Sequence, residues 1–170
     1  MIKDPNGRHR DPVTGAATAE ALERFLDAVL GMAEPAGPQV GLICLGIDAL
    51  DALAADPVGT AVRDAVLLGV ADRVHEHIRT QDLVGRLDAG FGICLADIFP
   101  AQAIAAAERL RQAVSALPVP TPVGAIPLTC SVGLVLSRGG NEFAAALLDR
   151  GRSARDAARQ AGGNRLVTAL

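Results

Sequence analysis

The chain has 170 residues and a formal net charge of −3 at pH 7, from 16 basic and 19 acidic side chains. Half of its residues are hydrophobic and only 2% are aromatic, so we expect one compact domain with a core of aliphatic side chains. This charge balance excludes a polybasic surface for nucleic acid or membranes.

The predicted elements begin after a polar arm at residues 1–10, and residues 11–170 form the domain. Their order is helix, strand, helix, strand, strand, helix, strand, helix and strand. The predicted ranges are 18–32, 40–47, 60–78, 83–87, 92–98, 101–117, 128–136, 141–161 and 166–169. The most regular of them is the helix at 60–78, where Val or Ile recurs every fourth residue from Val62 to Ile78.

The two strands at 83–87 and 92–98 lie close in sequence and predict a hairpin whose turn, Asp88 to Phe91, uses Gly90. Strands flanked by helices on both sides of such a hairpin are typical of a ferredoxin-like plan. The fold class predicted from the residues is therefore α+β, with a central, mostly antiparallel sheet flanked by helices.

Three cysteines, Cys44, Cys94 and Cys130, each lie within an apolar run and show no CxxC spacing. This pattern is typical of buried thiols in a reducing compartment. The N-terminal residues lack the hydrophobic stretch of a signal peptide, and no apolar run approaches the roughly 20 residues that span a bilayer. We therefore expect a cytoplasmic protein with no membrane segment.

Six short motifs follow one another along residues 11–168. They are Asp11-Pro-Val-Thr-Gly15, Gly46-Ile-Asp48, Gly59 with Asp64, Arg86-Leu-Asp-Ala-Gly-Phe-Gly92, Thr129-Cys-Ser-Val-Gly133 and Arg159-Gln-Ala-Gly-Gly-Asn164. In order and spacing they resemble the DxLTG, DxD, GHxxGD, RYGGDEF, TxSxG and KxxGRN segments of GGDEF domains, the diguanylate cyclases. The resemblance implies a nucleotidyl-cyclase palm-like fold over nearly the whole chain.

The resemblance also implies the condensation of two GTP molecules with the help of a divalent metal held by carboxylates. In this chain the positions of those carboxylates, the first of DxD and the third of GGDEF, are Gly46 and Gly90. Developing charge on phosphoryl oxygens must be neutralised, and glycine has no side chain with which to ligate a metal. We therefore expect no metal site and no bound Mg²⁺ at this place.

The rest of the signature differs as well. Asp88 and Ala89 stand at the two glycines that let the backbone approach the phosphates, Phe91 replaces the acidic fourth residue, and Gly92 ends the motif. The carboxylate of Asp88 would repel a triphosphate. Together with Gly46 and Asp64, residues 88–92 are expected to form a vestigial active site.

Among the guanine-binding positions of the family, only Asp64 keeps the expected residue, because Ala54 stands in place of an asparagine and Asp51 in place of a lysine. These losses predict a chain that is not an enzyme and has no diguanylate cyclase activity. We expect Asp48 to cap the short helix that follows its strand.

A second segment, Arg138-Gly-Gly-Asn-Glu-Phe143, reads almost like the signature. It follows a strand and opens a helix, where Asn141 suits an N-cap, whereas the signature belongs to the hairpin turn. We expect no functional role for it.

A product-binding motif, RxxD, precedes the signature of the family by a fixed distance, and Arg79-Thr-Gln-Asp82 lies in that register. Arg109 resembles the arginine that completes this site from the following helix. A guanidinium can donate to guanine O6 and N7, and a carboxylate can accept from guanine N1 and N2. The same pattern also occurs from Arg8 to Asp11 and from Arg24 to Asp27, so only the position of Arg79 and Asp82 before the signature distinguishes this occurrence. The alternative is an ion pair with no ligand.

We therefore expect a catalytically inactive GGDEF-like domain that acts as a cyclic di-GMP receptor through Arg79, Asp82 and Arg109. The resemblance implies a homodimer or a ligand-bridged dimer that signals to a protein effector. Three alternatives stay open: an interaction or dimerisation module that binds no nucleotide, a regulatory domain that senses GTP through Asp64, and residual diguanylate cyclase activity. Neither nucleic acid nor a membrane is an expected partner.

Overall fold

The computed structural model describes residues 9–53, 55–138 and 142–170. Within these ranges it has four α-helices and five strands: α1 (Ala19–Met32), β1 (Gln39–Ile47), α2 (Pro57–His75), β2 (Leu83–Leu87), β3 (Gly90–Ile98), α3 (Pro100–Ser115), β4 (Cys130–Leu136), α4 (Ala144–Gln160) and β5 (Arg165–Ala169). The predicted order of elements is confirmed. Most of the predicted arm, position 54 and the N-cap predicted at 141 lie outside the described residues, and the division at residue 10 stays a prediction.

The five strands form one sheet in the order β2-β3-β1-β4-β5. All neighbouring pairs are antiparallel except β4 and β5, which are parallel. The predicted α+β class, with a mostly antiparallel sheet flanked by helices, is therefore confirmed. β1 is the central strand, and the ends of β1 and of the β2–β3 hairpin meet at the same edge of the sheet.

The helices cover both faces of the sheet in pairs. Because side chains alternate along a strand, Leu42 and Cys44 of β1 pack against α1 and α4, whereas Ile43 and Leu45 pack against α2 and α3. The valines that recur every fourth residue in α2 face the sheet on the side of Ile43 and Leu45. All four, Val62, Val66, Val70 and Val74, are buried. None of the helices in the described ranges is long and apolar enough to cross a membrane.

Most boundaries differ from the prediction by one to three residues, and α2 ends at His75 instead of Ile78. Two of the differences have a clear local reason. α2 begins at Pro57 because the Asp56 carboxylate accepts a hydrogen bond from the Gly59 N–H at 2.7 Å, an N-cap that precedes the valine repeat. The hairpin turn contains only Asp88 and Ala89, and Ala89 takes the left-handed conformation at φ 60°. Gly90 and Phe91 belong to β3, where Phe91 is fully buried in the core.

Candidate functional site

The residues singled out in the sequence form two groups at opposite ends of β3. Gly90 begins β3 beside the hairpin turn, and the Ala96 carbonyl near the other end contacts Arg79. Since a strand rises about 3.3 Å per residue, six residues separate the two groups by roughly 20 Å. We call them the turn cleft and the Arg79 site.

The turn cleft is an open depression of about 700 Å³ beside the hairpin turn. Charged side chains from five parts of the chain line it, and they comprise four arginines and four aspartates. They are Asp11, Asp51, Arg63, Arg86, Asp88, Arg155, Asp156 and Arg159, with Leu87 and Ala89. The cleft is therefore strongly polar and offers both signs of charge.

The two glycines at the expected metal-binding positions face each other across neighbouring strands. Gly46 of β1 pairs with Gly90 of β3, so the structure brings together two positions that are distant in sequence. A Cβ atom at Gly90 would overlap the carbonyl oxygen of Leu45. Neither glycine supplies a side-chain ligand, and no cluster of three or more His, Cys, Asp or Glu in the described part of the chain could hold a metal ion. That Mg²⁺ does not bind here stays a prediction.

Arg155 fills the space beside Gly46. Its side chain crosses from α4 to β1, so that a Cβ at Gly46 would lie 3.0 Å from the Arg155 Cδ. The residue is 9% exposed, and its Nη1 donates to the Asp88 carbonyl at 3.1 Å. The guanidinium also donates from Nε and Nη2 to Asp156. A fixed positive charge therefore lies between β1 and the hairpin turn.

The close approach of α4 to the sheet explains this position. A Cβ at Gly133 of β4 would overlap the backbone of α4, and one at Gly151 of α4 would lie 2.7 Å from the Cys44 Sγ. Glycine at both positions lets the helix lie directly on β1 and β4. Gly133 belongs to the TxSxG-like motif, so this motif has a packing role.

Arg86 forms another wall of the cleft. Its guanidinium donates to the Leu87 and Gly90 carbonyls and lies 5.7 Å from the centre of the Phe91 ring. Burial lowers the pKa of Arg86, and the neighbouring Arg63 lowers it further, while nearby aspartates including Asp11 and Asp64 raise it. Asp64 thus lies close enough to act on the cleft without lining it.

The DPVTG segment forms a tight turn next to this wall. The Asp11 carboxylate accepts hydrogen bonds from the N–H and the hydroxyl of Thr14, at 3.0 and 2.6 Å. Gly15 takes a positive φ of 73°, and the chain then joins β2 through the Arg86 N–H and the Ala17 carbonyl. The turn places the Asp11 side chain at the rim of the cleft.

Asp48 does not cap a helix, and this prediction is wrong. Its carboxylate accepts hydrogen bonds from the Thr129 hydroxyl at 2.6 Å, the Ser131 hydroxyl at 2.7 Å and the Asn164 N–H at 2.9 Å. The short helix at Leu50–Ala52 has Ala49 at its N-cap, with no side-chain bond. Because β1 ends beside the first residues of β4 and β5, Asp48 contacts Thr129, Ser131 and Asn164, which are far from it in sequence.

At the Arg79 site, Arg79 and Asp82 form a closed ion pair. The guanidinium donates from Nε at 3.1 Å and from Nη2 at 2.8 Å to the two carboxylate oxygens, and the Arg79 N–H adds a third bond at 3.0 Å. Nη2 also donates to the Ala96 carbonyl at 2.6 Å. The Asp82 side chain is only 2% exposed, whereas that of Arg79 is 38% exposed. The arginine is thus held in one orientation with part of its surface open.

Arg109 of α3 lies at the same place. Its Nη2 donates to the carbonyl of His77, two residues before Arg79, at 3.3 Å. The side chain is exposed, so its remaining donors face solvent. The structure therefore brings together the three residues that the resemblance selected, from the segment after α2 and from α3.

Sequence reasoning missed Arg63, which lies inside the segment from Gly59 to Asp64, and Arg155, which belongs to none of the motifs. The sequence offers no signal that separates Arg155 from Arg150, Arg152 and Arg159 of the same helix, because its position depends on how closely α4 packs on the sheet. Residues 139–141 of the signature-like segment lie outside the described residues, and the expectation of no functional role for it stays a prediction. Its Glu142 pairs with Arg150 at 2.6 Å.

Comparison with known proteins decides the family. The family model described as diguanylate cyclase, GGDEF domain, matches residues 8–165. The chain belongs to the GGDEF domain family. The diguanylate cyclase DgcP of Pseudomonas aeruginosa is 29% identical over 163 residues, which cover 94% of this chain and 24% of that protein. This GGDEF domain thus spans about a quarter of the length of that curated relative.

Solved structures agree with this assignment. The diguanylate cyclase SiaD of Pseudomonas aeruginosa, solved with its activator SiaC, superposes with a TM-score of 0.87 at 27% identity, covering 97% of this chain and 63% of that chain. A microbial GGDEF domain described in an interaction with cyclic di-GMP has a TM-score of 0.76 at 26% identity, covering 95% of this chain and 99% of that chain. The predicted palm-like fold is confirmed.

The prediction that this GGDEF domain is not an enzyme is contradicted. The family model and the relatives DgcP and SiaD are all named as diguanylate cyclases. The sequence argument judged activity from side chains at single positions. Side chains at single positions do not exclude activity in a chain whose family model and fold match those of proteins named diguanylate cyclases over nearly its whole length. Membership of this family therefore overturns the exclusion.

Proposed function

We propose that this GGDEF domain binds cyclic di-GMP through Arg79 and Arg109, with Asp82 holding Arg79 in position. The proposal rests on the hydrogen bond from Arg109 of α3 to the His77 carbonyl, because it places this arginine two residues from Arg79, which follows α2. Support also comes from the microbial GGDEF domain whose interaction with cyclic di-GMP is described. The cytoplasm remains the proposed location, on the strength of the cysteine pattern.

The chemistry of the two arginines suits this ligand. Guanidinium groups present planar, bidentate donors that match guanine O6 and N7 as well as phosphate oxygens. Asp82 is buried and accepts three hydrogen bonds from Arg79, so its role in the proposal is to orient that arginine. The exposed donors of Arg79 and Arg109 then contact the ligand.

The proposed ligand carries two guanine bases, so it can engage the same surface on two copies of the chain. The proposal therefore includes a ligand-bridged dimer. It also includes a protein effector. The SiaD structure, solved with the activator SiaC, gives one relative for which a protein partner is known. Size-exclusion chromatography with and without cyclic di-GMP measures the dimer directly.

Substitution of Arg109 tests the site with little risk to the fold, because this residue is exposed. We expect Arg109→Ala to weaken cyclic di-GMP binding at least about tenfold, since a hydrogen bond with a charged partner contributes roughly 1.5–3 kcal/mol. Arg24→Ala is the matched control: Arg24 is exposed and stands in an RxxD pattern on α1. Unchanged affinity in Arg109→Ala would contradict the proposal.

Nucleotide comparison separates this function from its alternatives. A ligand at 100 times its Kd stabilises the folded state by about 2.7 kcal/mol, so the shift of Tm ranks cyclic di-GMP, GTP and cyclic di-AMP. A larger shift with GTP favours a GTP-sensing domain, and no shift with any of them favours an interaction module. Product analysis of the GTP sample with Mg²⁺ or Mn²⁺ measures diguanylate cyclase activity in the same preparation.

A further inference from the structure

Strand β3 contains one extra residue near its C-terminal end. Gly41 of β1 pairs with Leu95 of β3, and Gln39 pairs with Ile98. Two steps along β1 therefore match three steps along β3. Such an insertion is a β-bulge, and bulges are over-represented next to active sites, where they redirect the groups around them.

Asp97 gives this bulge its shape. Its φ is 49°, in the left-handed region, which is uncommon for residues other than glycine, although aspartate and asparagine adopt it more readily than most. The residue is exposed, so the conformation does not follow from burial of the side chain. A β-branched side chain such as that of valine would be strained in this conformation.

The bulge keeps two core residues on one face of the sheet. Leu95 and Ile98 are both 2% exposed and belong to the same core cluster. Residues three apart in a regular strand point to opposite faces, so the extra residue is what brings both side chains inward. Core packing alone would explain the bulge if no functional residue contacted it.

Arg79 contacts the bulge directly. Its Nη2 donates to the carbonyl of Ala96 at 2.6 Å, and β2 pairs with β3 only as far as Leu83 and Cys94. The guanidinium thus lies beyond the last strand pair, beside backbone that β2 leaves uncovered. Because the Ala96 carbonyl and the Asp97 N–H share one planar peptide unit, the left-handed φ of Asp97 sets the direction of this carbonyl.

The Ala96 carbonyl also determines which donors of Arg79 stay open. Nε and one hydrogen of Nη2 bond to Asp82, and the other hydrogen of Nη2 bonds to Ala96. Within the described residues no protein group accepts from Nη1, so its two hydrogens are left for a ligand. Loss of the Ala96 contact would free a hydrogen of Nη2 and loosen the guanidinium.

We propose that Asp97 is a positioning residue for Arg79. Its left-handed conformation turns the Ala96 carbonyl toward the guanidinium, and this contact, together with Asp82, fixes the direction in which Nη1 faces. The effect on ligand binding rests on the proposed function, whereas the effect on the orientation of Arg79 does not.

NMR of the Arg79 guanidinium tests the orientation without any ligand. Separate Nη1 and Nη2 signals in a ¹H–¹⁵N spectrum show that the group does not rotate, and Arg79→Lys identifies these signals by their loss. We expect them to stay separate in Asp97→Gly, because glycine adopts a positive φ readily, and to merge or broaden in Asp97→Val. Unchanged, separate signals in Asp97→Val would overturn the proposal.

Ala49→Val is the matched control. Ala49 is exposed and also left-handed, with φ 62°, but it follows β1 at the end of the sheet where the turn cleft lies. Valine introduces the same backbone strain there, so we expect a lower Tm and unchanged Arg79 signals. Altered signals in Ala49→Val would assign the effect to general destabilisation and would overturn the proposal. If Asp97→Val does not fold, Asp97→Thr, which is branched but polar, decides in its place.

Calorimetric titration with cyclic di-GMP measures the functional consequence. We expect Asp97→Val to weaken binding roughly tenfold and Asp97→Gly to bind like the wild type. Wild-type affinity in Asp97→Val would overturn the positioning role and leave the proposed function intact. No binding by the wild type would contradict the proposed function instead, and the NMR signals would still decide whether Asp97 orients Arg79.

Discussion

A single carboxylate, that of Asp48, joins three parts of the chain at one end of the sheet. It accepts hydrogen bonds from the hydroxyls of Thr129 and Ser131 and from the N–H of Asn164. Hydrogen bonds to charged groups contribute roughly 1.5–3 kcal/mol each. We expect Asp48→Ala to lower the free energy of unfolding by at least about 2 kcal/mol, measured by urea denaturation.

Asp51 provides the matched control three residues further along the chain. Its side chain is 69% exposed and lies 3.6 Å from Arg159, and exposed pairs of this kind contribute about 0–1 kcal/mol. Asp51→Ala should therefore change the unfolding free energy by less than about 1 kcal/mol. Equal losses in the two variants would show that the Asp48 bonds do not stabilise the fold.

Part of the Arg79 site could be predicted from the sequence. The register of Arg79 and Asp82 before the hairpin, and the place of Arg109 on the next helix, suffice to select three residues that the fold brings together. The burial of Asp82 could not be predicted, because it depends on the Ala96 carbonyl and on β3 packing beside it. Arg79 and Asp82 thus form the ion pair that the ligand-free alternative predicts. The same pair also holds the partly exposed Arg79 in position.

At the scale of elements, the β1–β3 pairing depends on two facing glycines that are not equivalent. A Cβ at Gly90 would overlap the backbone of Leu45, which cannot move without breaking the sheet, whereas a Cβ at Gly46 would meet only the flexible side chain of Arg155. Overpacking costs typically about 1–3 kcal/mol. We expect Gly90→Ala to lose stability at or above the top of that range, and Gly46→Ala to lose less.

Thermal unfolding of the two variants checks this ranking. A higher Tm for Gly90→Ala than for Gly46→Ala would contradict the strand register, because the overlap at Gly90 follows from its pairing with Gly46.

The order and type of the elements could be predicted because apolar spacing is a local signal. The hairpin turn was misplaced because glycine usually marks turns, yet Gly90 lies in a strand and Ala89 takes the left-handed conformation. Arg155 escaped prediction because its position depends on Gly133 and Gly151, which let α4 approach the sheet. Contacts between distant segments of the chain carry no signal in a single sequence.

At the scale of the whole molecule, the core contains three thiols that burial keeps neutral. Burial raises the pKa of Cys44, Cys94 and Cys130 from the ordinary 9.0 to about 12. In the unfolded chain these thiols lose their protons near pH 9, while in the folded chain they retain them. The unfolded state therefore binds fewer protons above pH 9, and stability falls as pH rises toward 12.

Denaturation curves at pH 7.5 and pH 10.5 check this pH dependence. The chain has no tyrosine, and its only lysine is Lys3, so few other side chains titrate in this window. We expect a lower midpoint of urea unfolding at pH 10.5. Folded thiols should also fail to react with Ellman's reagent until urea is added, and rapid reaction in the folded protein would contradict their burial.

The central claim is that the Arg79 site binds cyclic di-GMP, and calorimetric titration of the full chain tests it most directly. The account predicts heat of binding at micromolar protein and ligand, an affinity that Arg109→Ala weakens at least about tenfold, and no effect of Arg24→Ala. The absence of heat from the wild-type chain, or the same affinity in Arg109→Ala, would contradict the account.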